Sequence, residues 1–209
     1  MPGTASLPVF LLAALALNIS PGPDMLYVIS RSLEQGRRAG IVSALGIGAG
    51  TLVHTFVAAI GLSAILLSFP IAFDFIKYAG AVYLIYLGVR MLLARSNSKA
   101  SADSSALTSS HSLRSVFRQG VTTNILNPKV ALFFLAFLPQ FIDRSKGALA
   151  PQMIFLGLLF DTSGTSVNVI VATVAGHVSN SLRKRSGFTR FQKIIPASIL
   201  IALGLLVAL

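Results

Sequence analysis

The 209-residue chain has no cysteine, only six acidic residues and three histidines, and just 11% of its positions are charged. Without cysteine there is neither a disulfide framework nor a thiolate metal site. A hydrolase needs a nucleophile with its base, or a metal cluster. Here the histidines are His54, His111 and His177, two of them in a loop or at the end of an apolar run, and neither HExxH nor GxSxG occurs. An intramembrane enzyme is therefore disfavoured. A metal-cation carrier needs several carboxylates on facing helices, and Asp24, Asp161 and His54 make a thin set. No Lys or Arg precedes the first apolar run, which argues for a retained first span rather than a cleaved signal.

What the chain does have is apolar length. Hydrophobic residues make up 54% of it and the mean hydropathy is +0.79, which marks a polytopic membrane protein. Apolar runs fall at about Leu7 to Ser30, Gly40 to Ser68, Ile71 to Leu93, Val116 to Ile142, Leu149 to Val178 and Gly187 to Leu209. At a rise of about 1.5 Å per residue, each can cross an apolar layer about 30 Å thick. Between the third and fourth runs lies a Ser-rich polar linker without apolar periodicity.

The net charge of +11 raises the question of nucleic acid. Its carriers, however, sit between hydrophobic runs rather than along one face. Alternating the loops puts thirteen Lys and Arg on one side and three, Lys77, Arg144 and Lys146, on the other, with Lys129 inside a run. By the positive-inside rule the crowded side is cytoplasmic and both termini lie outside the cytoplasm.

The chain also repeats itself. "FIKYAGAVYLIYLG" (Phe75 to Gly88) resembles "FQKIIPASILIALG" (Phe191 to Gly204), "NISPGPDML" (Asn18 to Leu26) resembles "NILNPKVAL" (Asn124 to Leu132), and "GTLVHT" (Gly50 to Thr55) resembles "GLLFDT" (Gly157 to Thr162). Units of three spans, an odd number, must enter the membrane from opposite sides. The expected fold is an all-α integral membrane protein of six transmembrane helices, a 3+3 inverted repeat with broken first and fourth helices. Residues 1–94 form the first unit, 95–115 the linker and 116–209 the second unit.

The breaks are the candidate site. Pro21 and Pro23 remove backbone donors and Gly22 loosens the chain between them; Pro128 acts likewise beside Asn124 and Asn127. Pro21 precedes Arg31 by ten residues and Pro128 follows Arg118 by ten, which places both breaks about 15 Å below the same boundary, near the midplane. Freed backbone groups at that depth should line a cavity or a helix contact. There, helix N-terminal amides can meet a carboxylate and C-terminal carbonyls a cation.

Ionisable groups inside spans need partners or a pathway. Asp24 and Lys129 lie just past the two breaks, where an ion pair would neutralise both and a zwitterion would compete for them. His54 and Asp161 are 107 residues apart, as are Pro21 and Pro128, and both suit proton exchange. Asp161 shares a polar helix with Thr162, Ser163, Thr165, Ser166 and Asn168. The glycines of "GIGAG" (Gly46, Gly48, Gly50) form a small-residue face for close helix packing, not a phosphate loop.

"NISPGPDMLYV", "KYAGAVYLIYLGVRML" and "GVTTNILNPKVALFFLAFLPQFI" closely resemble the LysE/RhtB family of bacterial amino-acid exporters, essentially along the whole chain. The resemblance implies a bacterial inner-membrane homodimer that exports amino acids or their derivatives at the expense of the proton gradient. It carries the family's broken-helix motifs onto Asn18, Pro21, Gly22, Pro23 and onto Asn124, Asn127, Pro128, Lys129. The few intramembrane acids favour neutral zwitterions over lysine or arginine; another small solute or a metal cation is the alternative. The substrate pathway then comprises these eight residues with Asp24 and Asn168, and proton coupling falls to Asp161, His54 and Asp24. No cofactor, bound metal or nucleic acid is called for.

Overall fold

The computed structural model describes residues 7–62, 112–143, 145 and 147–177, with isolated positions 78, 82, 85, 86 and 89 of the third apolar run. The sixth run, the body of the third and nearly all of the linker lie outside the described residues. Apart from turns, the described residues are helical throughout. Helix α1 spans Leu7–Ile19, α2 Pro23–Val57, α3 Leu113–Ile125, α4 Pro128–Leu132 and α5 Leu149–His177. α2 ends in a π-helical turn, Ala58–Leu62, and α4 runs on through a π turn, Phe133–Phe137, into a 3-10 turn, Leu138–Phe141.

α2 has two arms. Gly36 interrupts it at φ 83° and ψ 176°, a left-handed φ that glycine tolerates and residues with a Cβ avoid. The chain reverses there: a Cβ on Gly40 would lie 3.0 Å from Ser32 Cβ, whereas eight residues of straight helix would separate them by about 12 Å. The sequence suggested a loop from Arg31 to Ala39. Instead "RSLEQ" extends the first arm, because these residues favour helix and Arg31 pairs with Glu34 one turn on at 3.1 Å.

Pro23–Gly61 and Leu149–His177 each hold a window long and apolar enough to cross a membrane. α3 and the segment Pro128–Phe141, bent by 46° across their break, make a third such element. α3 starts at Leu113, where Ser112 caps it by accepting from Ser115 N at 3.3 Å.

The surface is that of a membrane protein. Large apolar side chains such as Leu26, Ile60, Leu126 and Ile170 face outward, while Ser32, Ser43, Thr55, Asn124 and Asn168 are buried. Buried hydroxyls of Ser32, Ser43 and Thr55 donate to the carbonyl one turn back, at 2.7, 2.9 and 3.0 Å. Lipid is as apolar as a protein core, so packing rather than water exclusion holds these helices together. Gly46 and Gly120 sit at the α2–α3 crossing: a Cβ on Gly120 would be 2.8 Å from Ser43 O, and one on Gly46 would overlap Phe117 O. Beyond the second break, Phe133 stacks on Phe160 of α5 at 4.5 Å and Phe10 of α1 meets Phe141 edge-on at 5.2 Å, which locks α4 and its continuation between α1 and α5.

Candidate functional site

In a continuous helix the carbonyl of Leu17 would accept from the N–H of residue 21, but residue 21 is proline. Lys129 Nζ takes that place, donating to Leu17 O and to Ser20 O at 2.9 Å each. Its approach depends on Gly22, where a Cβ would stand 3.2 Å from Nζ. Pro23 then starts the next helix at a position that needs no N–H.

The second break repeats the logic. The carbonyl of Asn124 loses its helical donor because residue 128 is proline. It accepts from Asn127 N at 2.9 Å and faces His54 Nε2 at 3.1 Å. A carbonyl only accepts, so a hydrogen bond here requires a proton on His54 Nε2. Phe134 stacks on the imidazole at 5.9 Å, and Asn127 Oδ1 caps α4 by accepting from Lys129 N at 3.0 Å.

The first arm of α2 and α3 run side by side from the breaks: Asp24 meets Asn124, and further along Tyr27 and Arg31 both reach the Val116–Gln119 turn. The two interruptions therefore lie at one level. Between them, Asn124 Nδ2 donates to Asp24 Oδ2 at 2.9 Å, and Asn124 Oδ1 lies 3.3 Å from Thr51 Oγ1 of the second arm. Asp24 Oδ1 and Asn127 Nδ2 are buried without a hydrogen-bond partner.

Behind this relay is a cavity of about 20 Å³ bounded by Asn18, Asp24, Thr51, Asn124, Asp161 and Asn168. That is room for one water, not for an amino acid.

The profile of the LysE type translocator family matches residues 15–209 of the chain. The chain belongs to that family. An uncharacterized membrane protein of Bacillus subtilis, YrhP, is 32% identical over 208 residues, covering 96% of this chain and 97% of that protein. An uncharacterized membrane protein of Vibrio cholerae is 30% identical over 201 residues, covering 95% and 94%. A leucine efflux protein of Salmonella typhimurium is 31% identical over 134 residues, 64% of this chain and 62% of that protein. No solved structure matches the chain.

In this LysE type translocator, α5 closes the cavity with one stripe. Asp161, Gly164, Thr165 and Asn168 share a face by helical spacing, and Thr165 Oγ1 donates to Asp161 Oδ1 at 3.2 Å. Glycines let the neighbours close in: a Cβ on Gly48 would be 2.6 Å from Thr165 Oγ1 and 3.2 Å from Asp161 Oδ1, and one on Gly164 would be 2.9 Å from Asn18 Oδ1. Asn18 Nδ2 donates to Ser163 Oγ at 3.0 Å, tying the end of α1 to α5.

Towards Arg31 the first arm of α2 is tied to α3. Tyr27 Oη donates to Val116 O at 2.7 Å, and Arg31 donates to Gln119 Oε1 at 2.8 Å while its guanidinium lies 5.5 Å from the Tyr27 ring centre.

Of the residues singled out in the sequence, Asn18, Asp24, Asn124, Asp161 and Asn168 meet at the cavity. Lys129, His54, Asn127 and the prolines form its supports. The suggested Asp24–Lys129 ion pair is not formed, because the carbonyls of Leu17 and Ser20 hold the ammonium instead. The polar run on α5 also divides. Thr162 and Ser166 point outward, their hydroxyls donating to Leu158 O and Thr162 O at 2.7 Å each. Leu17, Ser20 and Thr51 escaped the sequence reading. For Leu17 the signal was available, since it lies four residues before Pro21; Thr51 looks like any helical threonine. Among the described residues no three His, Cys, Asp or Glu side chains converge on a metal-sized site.

Proposed function

We propose that the protein is a proton-coupled secondary exporter of neutral amino acids or their derivatives, working by alternating access around the paired helix breaks. One observation carries this reading: two proline breaks at one level, each freed carbonyl held by a cationic or titratable side chain, beside a polar cavity with two carboxylates. A merely kinked helix needs none of these groups. The efflux function named for the Salmonella relative supports an amino-acid substrate, and the leucine in that name favours a neutral one.

The matching offset of 107 residues between Pro21 and Pro128, Leu17 and Asn124, and His54 and Asp161 supports a 3+3 inverted repeat of six helices. On this reading the Arg31 end faces the cytoplasm, both termini lie outside it, and the working unit is a homodimer in the bacterial inner membrane. Asp161, with His54 and Asp24 as relays, exchanges the proton. The one-water cavity is a closed state, and loading requires the Tyr27 and Arg31 contacts to part. Growth of cells with and without the protein, challenged with a panel of amino acids and dipeptides, tests this directly. Relief confined to neutral amino acids is the expected result; no relief from any of them overturns it.

A further inference from the structure

The grip on Lys129 is unlike that of a structural lysine. A buried ammonium usually settles on a carboxylate. Here Asp24 stands within electrostatic reach with a buried, unpartnered Oδ1, yet Nζ donates to two main-chain carbonyls at the C-terminal end of α1. These carbonyls are the negative end of a helix dipole, and Pro21 has stripped one of them of its own donor.

We propose that the carbonyls of Leu17 and Ser20 form a subsite for a primary ammonium, which Lys129 fills in the empty protein and which the α-ammonium of the exported amino acid takes over. This rests on the export reading and names the chemistry of its site. The displaced Lys129 has a second berth: its flexible stem carries Nζ to Asp24 Oδ1, where the two charges neutralise each other. Gly22 leaves the side of the ammonium bare, so the exchange meets backbone rather than a side chain. Asn127 Nδ2, a buried donor that makes no full hydrogen bond and has the Asp24 carboxylate as its neighbour, suits the substrate carboxylate. Two arrangements of one side chain, selected by occupancy, make a two-state element that a ligand can bias. The subsite requires N–H donors and therefore excludes quaternary amines of the same charge.

The test uses the full-length protein in detergent and needs no transport. Thermal unfolding of wild type and Lys129→Ala is compared in ethylammonium chloride and, at equal ionic strength, tetramethylammonium chloride. Ethylammonium should raise the midpoint of Lys129→Ala by about 2–4 °C and leave wild type unmoved, while tetramethylammonium moves neither. Equal shifts in both proteins, or none in the variant, overturn the proposal. If the alanine variant does not survive extraction, Lys129→Met keeps the stem over Gly22 and the comparison is made with ammonium chloride, to the same criteria. Ethylammonium rescue without any amino-acid export by wild type would overturn the export reading and leave the subsite standing. Export without rescue would do the reverse.

Discussion

Lys129 Nζ lies 2.9 Å from the carbonyl of Leu17, the one helical carbonyl that Pro21 deprives of its backbone donor. Proline and lysine belong to different halves of the chain, yet one creates the vacancy that the other fills. Pro21→Ala returns an N–H to residue 21 and lets it compete for Leu17 O. The variant should fold and be about as stable as wild type, since Pro21 lies between α1 and α2 rather than inside either helix and the restored N–H can satisfy Leu17 O. Its efflux should nevertheless fall at least about tenfold, a loss of about 1.4 kcal/mol in the transport barrier. A thermal melt and an efflux assay on one preparation check both halves of this prediction. Full efflux with an undiminished melting temperature would show that the break is dispensable.

Gly22 is the wall beside that ammonium. A Cβ there would stand 3.2 Å from Nζ, so alanine demands a small shift and valine a large one. Efflux should decline in the order glycine, alanine, valine. Equal activity of all three would mean that the lysine does not need its present seat.

Asn124 holds Asp24 with its amide and meets Thr51 with its oxygen. Asn124→Leu leaves the carboxylate without its donor and should destabilise the protein by about 1–3 kcal/mol. Thr51→Val removes only the outer link and should cost about 0.5–1.5 kcal/mol. Chemical denaturation of the two variants side by side tests the order.

The absence of cysteine makes closure easy to measure. Tyr27→Phe deletes the 2.7 Å hydrogen bond to Val116 O and weakens the closed end. A single cysteine introduced as Asn168→Cys, at the cavity, should then react faster with a maleimide than in the Tyr27 background. Unchanged labelling would show that Tyr27 does not hold the cavity shut.

Much of this was legible in the sequence, for physical reasons. Prolines act on the backbone four residues away whatever surrounds them, so the breaks could be read from Pro21 and Pro128. Asp24, Asp161 and Asn168 declared themselves by being costly in an apolar layer. The seat of Lys129 was hidden because its partners are main-chain carbonyls, which every residue possesses. The first arm's reach to Gly36 was hidden because a charged helix and a charged loop have the same composition; only the φ of one glycine separates them. The division of α5 into an inward stripe with Asp161 and Asn168 and an outward one with Thr162 and Ser166 depended on which neighbours approach, and Gly48 and Gly164 decide that.

The central claim is that amino acid leaves as a proton enters, with Asp161 carrying the proton. Proteoliposomes loaded with labelled leucine and diluted into acidic or matched buffer test it most directly. Acid outside should speed efflux by wild type, and Asp161→Asn, folded by the same melting criterion, should export at one rate in both buffers. Wild-type efflux indifferent to the gradient, or an Asp161→Asn variant that still responds to it, would contradict the account.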